Sequence, residues 1–133
     1  GLFIMDMMGG GAMLNEELEE SRQVARPTKE DKQKHPPFRY VWEERSFNPI
    51  THDAFFAIHF RFPDGSEIKN AFTYDWRLWT IPEVQELLEE AGFSESHVYW
   101  ETVDKNGEAS GKYRRATKGR PDPAWLAYVV ALR

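Results

Sequence analysis

"FTYDWRLWTIPEVQELLEEAGF", Phe72 to Phe93, sets aromatic and charged residues directly against the start of an amphipathic helix. Thr80 and Glu83 stand at capping-box spacing, Pro82 falls in the first turn, and Gly92 is placed to end the helix. Val84, Leu87, Leu88 and Ala91 make one apolar stripe, whereas Glu83, Gln85, Glu86, Glu89 and Glu90 largely face water. The pattern predicts a helix that covers something, and the question is what.

Upstream of it the hydrophobic period is two. Phe38, Tyr40 and Trp42 alternate with Arg39, Val41 and Glu43, and Phe56, Ile58, Phe60 and Phe62 alternate with Phe55, Ala57, His59 and Arg61. "NPITHD" joins these two strands, and "PDGS" provides a turn before a third, from Glu67 to about Tyr74. The short connections predict an antiparallel meander over 38–76, one face of which, carrying Tyr40, Trp42, Tyr74 and Trp76, is fit to cover a core.

Downstream, "HVYWETV", His97 to Val103, and "WLAYVVAL", Trp125 to Leu132, read as two antiparallel strands. Between them "DKNGEASGKYRRATKGRPDP" reads as a long, locally basic excursion through Lys112, Arg114, Arg115, Lys118 and Arg120, suited to solvent or to an anionic ligand or partner.

The chain opens "GLFIMDMMGGGAM", without an initiating Met or a polar lead-in, which is the look expected of a cut fragment. Leu2 to Met5 is a continuous apolar run of the kind covered on both faces in a parallel sheet. Gly9 to Gly11 permit a sharp turn, but their spacing fails the dinucleotide-binding fingerprint. "NEELEESRQVAR", Asn15 to Arg26, predicts a short exposed helix with Asn15 as N-cap, and "PTKEDKQKHPP", 27–37, a polar linker.

Composition narrows the function. At 133 residues, 41% hydrophobic and 14% aromatic, the chain can bury a real core. A net charge of −5 argues against a nucleic-acid partner. The absence of cysteine excludes disulfides and cysteine-type metal sites and fits a cytoplasmic location. His35, His52, His59 and His97 are too widely spaced to predict a metal site. "GLFIM", broken by Asp6, is neither a signal peptide nor a membrane span.

"LFIMDMMGG", "DWRLWTIPEVQELLEEAGF", "HVYWE" and "WLAYVVALR" together resemble, in order and wording, the C-terminal part of a class I S-adenosylmethionine-dependent methyltransferase. There the fifth strand ends with an acidic residue, a helix ending in "AGF" leads to the sixth strand, and the seventh is antiparallel. The resemblance implies an α/β fold, the C-terminal portion of a Rossmann-like sheet with the meander inserted, of α+β appearance when taken alone. It implies an acceptor-binding half of an enzyme that uses S-adenosylmethionine to methylate a small molecule. The family's glycine-rich loop after the first strand and the acidic residue ending the second have no counterpart here, so the chain alone is expected to be inactive.

Methyl transfer from a sulfonium needs an acceptor atom held in line, and a base only where the acceptor must lose a proton. Trp42, Glu43, His59, Tyr74, Asp75, Trp76 and Arg77 are the candidates for lining an acceptor pocket, since the meander and its exit gather polar groups and aromatic walls there. Each also has a structural reading: His59 as a hydrogen-bonded strand residue, Arg77 as the ion-pair partner of Asp75. Two other classes of function compete, a stand-alone α+β ligand-binding module and a dimerisation module using exposed aromatics.

Overall fold

The computed structural model describes residues 1–25 and 35–133. It divides into two compact units, one formed by Gly1–Met13 with Leu78–Arg133 and the other by Leu14–Arg77.

The first unit is a four-stranded sheet with one α-helix. Its strands are β1 (Leu2–Gly9), β6 (Glu95–Val103), β7 (Ala109–Arg115) and β8 (Trp125–Leu132), and its helix is α1 (Ile81–Glu90). The spatial order is β1-β8-β6-β7, and every pairing is antiparallel. The helix forms as its caps dictate: Thr80 Oγ1 accepts from Glu83 N, and the Glu83 carboxylate accepts from Thr80 N in return. At the other end Gly92 takes φ 87° and the amides of Gly92 and Phe93 donate to Glu89 and Leu88, a Schellman stop that requires an αL residue at Gly92. Val84 and Leu88 pack with Met7, Val129 and Ala131 into a core, with Met5, Trp79, Ile81, Phe93 and Trp125 around it. Leu87, placed on the same stripe by its spacing, remains 46% exposed.

The second unit is a four-stranded meander: β2 (Leu18–Val24), β3 (Phe38–Phe47), β4 (Asp53–Arg61) and β5 (Glu67–Arg77), adjacent in that order and antiparallel throughout. The extra residue Arg45 bulges β3, and β5 bulges opposite His59.

Four expectations need correction. The α/β, Rossmann-like arrangement is not formed: among the described residues every pair of hydrogen-bonded neighbouring strands is antiparallel and there is a single α-helix. The apolar run of β1 misleads because it is sandwiched by only one partner strand, β8, and Leu2 and Ile4 are 61% and 59% exposed. The span from Asn15 is an edge strand, not a helix. Glu17 has φ 53°, which no helix accommodates, and Leu18, Glu20, Arg22 and Val24 alternate against β3, where backbone hydrogen bonds outweigh a thin helical stripe. Within the excursion after Val103, Ala109–Arg115 pairs with β6 as strand β7 rather than running as open loop. The linker expected over 27–37 lies for the most part outside the described residues.

Candidate functional site

Strand parity sorts the meander's side chains onto two faces, because successive residues point to opposite sides. Register puts Tyr40 opposite Phe60, Trp42 opposite Ile58 and Glu44 opposite Phe56, while Phe56 and Ala54 face Tyr74 and Trp76 on the next strand. One face is therefore aromatic. Trp42 stacks on Phe56 with ring centroids 5.0 Å apart, Tyr74 and Trp76 lie 4.5 Å apart, and the two pairs meet through Trp42–Tyr74 at 6.1 Å and Phe56–Trp76 at 6.0 Å. Phe56 is fully buried and Trp76 is 39% exposed, so the cluster grades from core to surface. Along the same face the Arg22 guanidinium sits 4.9 Å from the centroid of Tyr40. Burial pushes the Tyr40 phenol up, Arg22 opposing and Tyr74 reinforcing the shift.

The opposite face is polar. Glu43 accepts from Arg45 through Nε at 3.2 Å and Nη2 at 2.7 Å, and from His59 Nε2 at 2.8 Å. Arg45 Nη2 also donates to Asn70 Oδ1 at 2.8 Å, and Asn70 N donates to His59 Nδ1 at 2.8 Å, which closes a ring of four residues. The Arg45 guanidinium holds the Glu43 carboxyl down at about 2; partial burial opposes this and His59 assists. Further along, Arg61 bridges Glu19 and Glu67.

The seven residues picked out in the sequence are thus not one pocket lining. Trp42, Tyr74 and Trp76 come together on the aromatic face. Glu43 and His59 meet each other on the polar face, where Asp75 and Arg77 also fall by register, opposite Phe55 and Asp53. Phe56 and Glu44 belong with the aromatic group and were missed, although Glu44 shares the strand parity of Trp42; Phe56 is joined to them by the register of β4 on β3. His59, 2% exposed with both ring nitrogens engaged, has no nitrogen left for an acceptor substrate.

The glycines after β1 have a packing role. Gly10 has φ 108°, and a Cβ there would collide with the Pro123 carbonyl oxygen; a Cβ on Gly9 would strike the Trp125 ring. Ala12 N donates to that same Pro123 oxygen at 2.9 Å.

A cleft of about 530 Å3 opens in the first unit among Ile81, Gln85, Val98, Trp100, Thr117 and Lys118. It contains none of the seven candidates. Gln85 and Ser96, which also lines it, are hydrogen-bonded to each other at 3.0 Å. Among the described residues no group of three or more His, Asp or Glu side chains is gathered to hold a metal, and no helix is long and apolar enough to cross a membrane.

The chain matches no family model, no curated protein and no solved structure.

Proposed function

We propose that the chain is the acceptor-side part of a cytoplasmic S-adenosylmethionine-dependent methyltransferase that acts on a small molecule, with the methyl-donor site supplied by residues outside these 133. The observation that carries the reading is the placement of β8 between β1 and β6, antiparallel to both, with α1 and its Ala91-Gly92-Phe93 stop leading directly into β6. These are the elements on which the sequence resemblance rests, in the same order and with the final strand running against its neighbours. Two further features support it. The first residues of β1, Leu2 to Met5, are apolar on both faces, and Leu2 and Ile4 are exposed, an apolar surface suited to meeting more protein. The meander is a compact unit of its own whose aromatic face offers an acceptor a wall that excludes water.

Calorimetric titration with S-adenosylhomocysteine tests the reading. The 133-residue chain is expected not to bind it, and the longest reading frame containing the chain is expected to bind it and to consume the methyl donor. A longer protein that neither binds nor consumes the donor with any acceptor would remove the proposal.

A further inference from the structure

The aromatic face of the second unit holds one donor and one acceptor that the described residues leave unsatisfied. Trp42 Nε1 and Glu44 Oε2 are both closed off from water, and neither has a hydrogen-bond partner among the described residues. Buried polar atoms are so regularly paired that two orphans, two residues apart on one strand face, require an explanation. Glu44 is the sharper case. It is 1% exposed, directly across from Phe56, and on the side of β3 away from Arg45 and His59, which neutralise Glu43 instead. A carboxylate buried without a cation among the described residues is electrostatically costly, and the residue directly opposite it is Phe56, whose ring stacks on Trp42.

Charge complementarity therefore selects the occupant. An anion would meet the Glu44 carboxylate and the ring faces, all repulsive; a neutral apolar group would leave the carboxylate unpaired. A protonated amine answers the carboxylate and the rings: its N–H donates to Glu44, and its charge and flanking carbons lie on the rings, while the Trp42 Nε1 donor, for which an ammonium has no acceptor, stays unpaired. Arg22 over Tyr40 already shows a cation accommodated on this face.

We propose that the aromatic face binds a cationic organic amine, with Glu44 as counter-ion and Trp42, Tyr74 and Trp76 as the wall, and that this amine is the methyl acceptor. The second clause rests on the function proposed above; the first stands without it. Entry requires a ring to give way, and Trp76, 39% exposed, is the least enclosed of the three. For transfer, the ammonium passes a proton to the Glu44 carboxylate. The freed nitrogen lone pair then bonds the methyl carbon of S-adenosylmethionine as the carbon–sulfur bond breaks, its electron pair staying on sulfur.

The experiment is calorimetric titration of the full chain with three probes of one shape, 2-phenylethylamine, 2-phenylethanol and 3-phenylpropionate. The amine is expected to bind at least about tenfold tighter than the alcohol, and the carboxylate weakest, a tenfold difference being what one modest charge-assisted contact supplies. In Glu44→Gln the preference for amine over alcohol is expected to vanish while alcohol binding persists. Equal binding of amine and carboxylate by the unaltered chain would overturn the proposal without recourse to any variant, as would a Gln variant that keeps the preference. Amine binding in a full-length protein that methylates nothing would leave this site standing and remove the methyltransferase reading; loss of the amine preference in a protein that does consume donor would do the reverse.

Discussion

His59 Nδ1 accepts the backbone N–H of Asn70 at 2.8 Å, across the bulge where the register jumps from Ile58 facing Phe72 to Phe60 facing Ile68. That jump leaves Lys69, Asn70 and Ala71 opposite a single residue, and the imidazole fills the gap. With Nδ1 accepting, the ring proton sits on Nε2 and is donated to Glu43. Asn70, at φ 52°, is one of the few side chains that tolerate the left-handed conformation the bulge imposes.

Removing the ring should therefore cost stability. His59→Ala takes the acceptor from the part-buried Asn70 N–H, removes one partner from Glu43 and opens a cavity where the 2% exposed imidazole stood, so a loss of about 2–4 kcal/mol is expected. Urea denaturation measures it, and an unchanged midpoint would show that the bulge does not depend on the imidazole.

The same network fixes how stability responds to acid. Glu43 is held at about 2 instead of its ordinary 4.5, chiefly by Arg45. Because the folded-state pKa lies below the unfolded one, the stabilisation is complete above about pH 5 and is lost as pH falls toward 2. At full strength the shift corresponds to about 3 kcal/mol. Water around the partly exposed pair reduces this to about 1–2 kcal/mol. Arg45→Met should flatten the acid limb of the stability curve by up to one proton between pH 5 and 2. An identical slope in both proteins would mean that another carboxylate carries the acid response.

How far the sequence disclosed all this depends on which residues are asked. The helix was legible, because Thr80, Glu83 and Gly92 carry their conformations in their chemistry. So was the period of two in β3 and β4. The parity of that same period also forbids Trp42 and Glu43, or Tyr74 and Asp75, from sharing a pocket wall, and groups Trp42 with Glu44 without any structure, whereas Phe56 on β4 joins them only through the register. Strand β2 was less legible: Leu18, Glu20, Arg22 and Val24 earn their conformation from an available edge on β3, and Leu18 to Val24 alone read equally well as an exposed helix. The direction of β1 was not legible at all, since an apolar run specifies burial and not the orientation of its partner.

The glycine run offers an internally controlled test. Gly10→Ala places a methyl into the Pro123 carbonyl at a backbone conformation unfavourable to any side chain, and a loss of about 3 kcal/mol or more is expected. Gly11→Ala meets open space and should stay within about 0.5 kcal/mol of the unaltered protein. Thermal unfolding of the two variants side by side separates close packing from mere loop flexibility: comparable losses at both positions would contradict the packing account.

Glu44 makes the opposite prediction to every other buried polar residue discussed. Losing a buried partner normally destabilises, as at His59, but the Glu44 carboxylate has an oxygen with no partner to lose among the described residues. Glu44→Gln keeps the shape, removes the charge and lowers the desolvation cost, so the unliganded protein should gain about 1–2 kcal/mol. A residue that weakens the fold while serving a site is the familiar pattern of stability given up for function. The urea midpoint of the ligand-free variant reads the sign directly. A rise identifies the carboxylate as an unsatisfied group held for a cation; a fall would mean that the folded protein already neutralises it, and the amine would then have nothing to complete.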